Sequence, residues 1–178
     1  MTKRGPLTDL GPIMQLAYLP SDFDAAIKHW TEVVGAGPFF LMENIQLGEM
    51  TYKGQPSDAM FSVAWAYWGD MQIELIRPEN DAPSIYTGEY AVRDQLHHVC
   101  IVVDDLEAAR AALNAAGAEI LIEGKVGDTG GVFYADAGGG PGNIVEYVKL
   151  AEGGPELFAM MREAARGWDG SEPLRKLG

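Results

Sequence analysis

The stretch Leu96–His97–His98–Val99–Cys100–Ile101–Val102–Val103–Asp104–Asp105 reads as a strand running into a helix cap. Val99, Ile101 and Val103 form one apolar stripe of period two. His98, Cys100 and Val102 form the other. His97 and His98 are therefore expected on opposite faces of a sheet, with only one of them available to a given cavity. His98 lies on the stripe with small Cys100, and His97 is expected at the surface or against a helix.

This stretch has a twin. Gln15–Leu16–Ala17–Tyr18–Leu19 runs into Ser21–Asp22–Phe23–Asp24–Ala25–Ala26. With Gln15 laid on His98, Asp22 falls on Asp105, Phe23 on Leu106, Asp24 on Glu107, and Ala25–Ala26 on Ala108–Ala109. One strand–cap–helix unit is used twice, and a repeat sets the architecture. After the first unit's strand, Asp22 or Asp24 caps a helix whose buried face carries Ala26, Ile27, Trp30, Val33 and Val34. Gly35–Ala36–Gly37–Pro38 ends it. Strands are expected over residues 39–46, 60–68 and 71–77, with Gly69–Asp70 as a two-residue hairpin turn and Thr51–Tyr52–Lys53 as a short edge segment. The second unit repeats the order: strand 96–103, alanine-rich helix 106–116, then strands 119–123, 131–136 and 143–150. Residues 1–10 read as a loose leader, 11–78 as the first βαβββ module, 79–95 as a polar linker, 96–150 as the second module and 151–178 as a C-terminal helix and tail. In the tail, Leu157, Phe158, Met161 and Ala165 form one apolar stripe.

The chain has 178 residues, an ordinary apolar share of 47% and a net charge of −13, so it can bury a sizeable core. The negative field disfavours nucleic acid and anionic membranes as partners, and no apolar run is long enough to span a bilayer. The single cysteine excludes an intrachain disulfide and suits a reducing cytoplasm. The glycine runs at 127–131 and 138–142 lack the lysine and the following helix of a phosphate loop.

Four polar residues sit in strands whose apolar neighbours imply burial: Gln15, Glu74, His98 and Glu146. Each unit supplies two, one from its first strand and one from its last. Buried carboxylates are rare unless paired or bound to metal. If the units pack about a pseudo-twofold axis, an imidazole, two carboxylates and an amide oxygen converge, a set suited to zinc, nickel, cobalt or manganese. A hydrogen-bonded cluster without metal is the plainer alternative. Ala17 and Cys100 would leave room for a substrate.

This pattern resembles the vicinal oxygen chelate superfamily, with its paired βαβββ modules and metal ligands on the first and last strand of each. The set Gln, Glu, His, Glu is similar to that of zinc-type glyoxalase I. Leu96–His97–His98–Val99 and Val145–Glu146–Tyr147 also resemble methylmalonyl-CoA epimerase. That family usually has His at the first ligand position and Gln at the second, and this chain departs from it at both. The resemblance implies an α+β fold in which two βαβββ modules pair into a cupped, partly open mixed barrel with helices outside and a C-terminal helix added. It implies a divalent metal held by Gln15, Glu74, His98 and Glu146, with Glu146 and the opposing Glu74 as the catalytic carboxylates. The implied activity is a lyase or isomerase that removes a proton alpha to a chelated carbonyl of a small molecule. A homodimer is compatible with the tail helix and exposed strand edges. Two other readings within the superfamily stay open: a metal-free binding protein of bleomycin-resistance type, and a ring-cleaving dioxygenase, which needs a second histidine. Lys53, Arg77 and Lys125 are the cations considered for an anionic substrate handle.

Overall fold

A computed structural model describes residues 6–177. Its strands are β1 (Gln15–Tyr18), β2 (Phe39–Ile45), β3 (Gly48–Tyr52), β4 (Gln55–Pro56), β5 (Phe61–Trp68), β6 (Met71–Pro78), β7 (Leu96–Val102), β8 (Glu119–Val126), β9 (Gly130–Asp136), β10 (Ile144–Lys149) and β11 (Leu174–Lys176). Its α-helices are α1 (Phe23–Lys28), α2 (Leu106–Ala116) and α3 (Gly154–Ala165). All strands join one mixed sheet, in the order β11-β2-β5-β6-β1-β7-β10-β9-β8-β3-β4. The inner eight read as two mirrored copies of one four-strand unit. They meet where β1 pairs antiparallel with β7, and each of these pairs in parallel with the last strand of its own unit.

The duplication extends to the caps. Asp22 and Asp105 share the same extended backbone, and each side-chain carboxylate accepts N–H groups of the first helical turn. Gly117 closes α2 in the left-handed conformation at φ 71°, where glycine carries no Cβ penalty. Strand alternation then sorts the core. Leu16, Ile73 and Leu75 turn outward under α1 with Phe23 and Ile27. Ile101, Phe133 and Tyr147 turn outward under α2 with Ala109 and Leu113. The opposite face, including Ala17, Val63, Cys100, Tyr134 and Val148, lines the inside of the cup.

The β2–β3 connection curls the sheet. β2 lies near one end of the strand order and β3 near the other, yet only Gln46 and Leu47 separate them. The two rims must therefore approach each other, and Leu47 rests against Gly124 of β8. The expected edge segment at 51–53 thus exists as β3, but it extends the second module's β8 rather than its own module, and residues 55–56 pair back on it.

Several expectations are corrected. The first helix changes to a π-helical turn over His29–Val34, which alters the 3.6-residue phase. Val33 is consequently 74% exposed instead of buried. Trp68, the last residue of β5, is also mostly exposed. The polar linker carries buried Ser84 and, packed into the inner core, Ile85, Tyr86 and Tyr90. Residues 1–5 of the expected leader lie outside the described residues. Pro6–Asp9 form a 3-10 turn, and Leu7 and Leu10 pack on the α2 core. Beyond α3, where only tail was expected, β11 pairs in parallel with β2. Trp168 lies against Gly37, where any Cβ would meet the indole ring.

Candidate metal centre

The strand register builds the site in two rungs across β6, β1, β7 and β10. One rung reads Gln72, Gln15, Cys100, Glu146. The next reads Glu74, Ala17, His98, Ile144. Exchanging the modules maps Gln15 onto His98, Glu74 onto Glu146, and Ala17 onto Cys100. The polar groups thus occupy diagonal places, with small residues in the complementary ones. All four polar side chains are buried. One ligand atom each from Glu74, His98 and Glu146 lies within 4.8 Å of the others. His98 Nε2 is 3.2 Å from Glu146 Oε2 and 3.5 Å from Glu74 Oε2.

Each half fixes its first-strand residue by a hydrogen-bond relay. In the first, Gln72 Nε2 donates to Tyr67 Oη (3.2 Å), so Gln72 Oε1 accepts from Gln15 Nε2 (2.6 Å). This leaves Gln15 Oε1 buried without a hydrogen-bond partner. In the second, His97 Nε2 faces the Ile85 carbonyl at 3.0 Å and must donate to it. Neutral His97 then offers an unprotonated Nδ1 to His98 Nδ1–H at 2.9 Å. Burial, reinforced by the His98 charge, lowers the His97 pKa to about 3 and keeps that ring neutral. His98 Nε2 is left facing the two carboxylates.

His97 corrects the alternation argument. It is fully buried and bonded to His98, neither at the surface nor against a helix. The pairing steps from Ala17↔His98 to Tyr18↔Leu96, so His97 is the extra residue of a β-bulge, and a bulge breaks period two locally. Strand periodicity alone carries no signal for it.

Burial alone would depress the His98 imidazolium, but the Glu146 and Glu74 carboxylates outweigh it and raise its pKa to about 9. Burial raises the Glu74 pKa, with His98 opposing and Glu146 assisting. Glu74 Oε1 accepts the Trp65 indole N–H at 2.8 Å, whereas its Oε2 is buried with no hydrogen-bond partner. Burial also holds the Cys100 thiol well above its usual range, which leaves it protonated beside Glu146. Sequence reading missed Trp65, Gln72 and Tyr134 as site residues. Gln72 carries a signal, since it shares the Glu74 stripe two residues away. Trp65 and Tyr134 carry none beyond their hydrophobicity.

The site opens into a cavity of about 490 Å³, walled chiefly by apolar side chains from both modules and α3. The three cations considered for a substrate handle lie outside its wall. Lys53 pairs with Glu89, Arg77 with Glu79 and Glu43, and Lys125 with Glu49. In the second glycine run, the N–H groups of Gly138, Gly139 and Gly140 are taken by the Asp136 carboxylate, so they are not free to cradle a phosphate.

The profile of the Glyoxalase/Bleomycin resistance protein/Dioxygenase superfamily matches residues 14–135, more than half of the chain. The chain belongs to this superfamily. Solved structures share the fold. A hypothetical protein from Bacillus halodurans C-125 aligns with a TM-score of 0.55 at 12% identity, over 79% of this chain and 95% of its own. A methylmalonyl-CoA epimerase in complex with methylmalonyl-CoA aligns with a TM-score of 0.55 at 17% identity, over 80% and 96%. The methylmalonyl-CoA epimerase of Streptomyces coelicolor, in a substituted form, aligns with a TM-score of 0.54 at 16% identity, over 80% and 99%. Comparison with the curated proteins gives no match. Among the described residues, no helix is long and apolar enough to cross a membrane.

The donor set fits a divalent ion. Two buried oxygens, Gln15 Oε1 and Glu74 Oε2, have no hydrogen-bond partner; Glu74 Oε2 has only the His98 imidazole at 3.5 Å, while Gln15 Oε1 is a buried acceptor whose burial costs free energy unless something binds it. Glu74, His98 and Glu146 form a mixed nitrogen and oxygen group that could hold a divalent ion, and Gln15 lines the same cavity.

Proposed function

We propose that this chain is a metal-dependent lyase or isomerase of the glyoxalase type, acting on a small molecule with two chelating oxygens, in the class of hemithioacetals and acyl thioesters. The observation that carries this reading is the convergence of two carboxylates and one imidazole within 4.8 Å, in a cavity that Gln15, whose buried Oε1 has no hydrogen-bond partner, also lines. Gln15, Glu74, His98 and Glu146 would hold the ion, which when bound supplies Lewis-acid polarisation of a chelated carbonyl.

The remaining chemistry falls to the protein. Glu146 is assigned as the base that takes the proton alpha to the carbonyl. Its carboxylate contacts His98 and the Cys100 thiol, while Glu74 is pinned by the Trp65 indole. The two carboxylates come from opposite modules and flank the same space. A proton lost to one side and returned from the other inverts the carbon, and one returned to the neighbouring carbon isomerises the substrate. The apolar wall excludes water from the exposed carbanion-like carbon.

Elemental analysis of the purified protein, followed by a solvent-deuterium exchange screen over thioesters and hemithioacetals, tests this. The expected result is one divalent ion per chain and deuterium incorporated alpha to the carbonyl. A protein that arrives without metal and refuses zinc, nickel, cobalt and manganese ends the proposal. A metal-free binding protein is favoured by a different observation. Protonated His98 between Glu74 and Glu146 already neutralises one charge of the pair internally. The dioxygenase reading lacks its second imidazole, because both His97 nitrogens are engaged away from the cluster's centre.

A further inference from the structure

The cavity indicates what kind of substituent the substrate carries, an inference that rests on the metal-chelating reading above. The space beside the cluster is about 490 Å³, within the range that encloses a drug-sized ligand and far more than a methyl group on the reacting carbon needs. Its walls are hydrocarbon: Met42, Phe61 and Val63 from the first module, Val132 and Val148 from the second. Among the described residues, no Lys or Arg lines it. Its ionisable residues are Glu74 and Glu146 of the cluster, Glu152, Cys100 and Tyr134. The Tyr134 hydroxyl is engaged by Tyr86 at 3.2 Å. Away from the cluster, a second anionic group on the substrate would be desolvated against hydrocarbon, with no Lys or Arg among the described lining residues to pair it.

The remaining wall comes from outside the repeat. Ala151 to Gly154 and then Leu157 and Phe158 of α3 border the cavity. Phe158 meets the Trp65 ring edge-on at 6.2 Å, and Trp65 in turn holds Glu74. The helix is fastened beyond its end by β11 on β2 and by Trp168 on Gly37. It is thus a fixed part of the cup.

We infer that the substrate carries a bulky, uncharged hydrocarbon substituent next to its chelating oxygens, seated against α3, and that Leu157 is a determinant of this specificity. The test is a series of hydroxamates sharing one bidentate head: acetohydroxamate, hexanohydroxamate, 3-phenylpropionohydroxamate and succinic monohydroxamate. Each is titrated into the cobalt-loaded full chain and followed by the cobalt visible bands. Affinity is expected to rise up to about fourfold per buried methylene, and the succinic compound is expected to bind no better than acetohydroxamate. Leu157→Ala is expected to reduce the ratio of phenylpropiono to aceto affinity about tenfold, and Leu157→Lys to move the preference toward the succinic arm. A flat series, or preference of the wild-type chain for the succinic arm, overturns the inference while leaving the metal reading intact. Failure to load cobalt, or to bind any hydroxamate, overturns both. A Leu157→Ala variant that weakens all four compounds equally removes that residue's role in specificity.

Discussion

The two halves of the molecule share one plan but equip it differently. The first half contributes a neutral amide, Gln15, and a carboxylate, Glu74, that is fixed by an indole N–H. The second contributes an ionisable imidazole, His98, and a carboxylate, Glu146, whose contacts include that imidazole and a thiol. In the first half the polar relay settles which amide atom faces inward. In the second it settles which ring nitrogen does. The duplicated backbone thus supplies positions, and the departure from symmetry supplies the division between holding and reacting that the proposed function requires.

The strongest way to break this comparison is to remove the proposed ligands of the two halves in turn. His98→Ala and Glu146→Gln are expected to lower metal affinity more than about a hundredfold, exceeding the loss of an outer partner. Gln15→Ala, which deletes a neutral donor, is expected to cost about tenfold. Chelator competition with elemental analysis measures all three. Equal losses at Gln15 and His98 would show the halves to be equivalent.

The charge state of His98 sharpens the contrast next. Its pKa is raised from the ordinary value to about 9, so at neutral pH the metal-free site holds a proton that an incoming ion must displace. Metal affinity is expected to climb about tenfold per pH unit toward pH 9 and then level. The same shift stabilises the metal-free fold fully below the unfolded histidine value of about 6.5 and is lost as pH rises through about 9. An affinity that is flat between pH 6 and 9 would contradict it.

The relays come third. His97→Phe is expected to weaken metal binding ten- to a hundredfold by freeing the His98 tautomer, and Gln72→Leu by less, because an amide that flips still presents a polar atom. Nitrogen NMR of the imidazoles separates a tautomer change from simple destabilisation, with the melting temperature as control. The smallest contrast lies in the caps. Asp105 accepts two N–H groups and Asp22 one, so Asp105→Ala is expected to cost about 1 kcal/mol in urea unfolding and Asp22→Ala somewhat less.

The duplicated plan was legible in the residues because strand alternation and capping are local. Asp22 and Asp105 announce two helix starts, and residues 106–116 form the expected helix. The four buried polar side chains could be picked out for the same reason, since a carboxylate in an apolar strand conflicts with its neighbours. Features that depend on partners distant in sequence were not legible. His97 turns inward because of how β1 and β7 are registered, Ile85 and Tyr86 are buried because a loop folds under the cup, and β3 joins a sheet edge supplied by residues 119–126. Val33 shows a further limit: a π turn changes the phase of a helix whose apolar spacing reads as regular.

The short crossing at Gln46–Leu47 has a consequence for the molecule as a whole. The halves are stitched twice, along the β1–β7 seam and again at the rim. Cut at the linker, the leading fragment would carry a hairpin with no sheet to lie on, and the trailing fragment would bare the outer edge of β8. The two copies form an interlocked pair within one chain, and neither can be traded for a duplicate of the other.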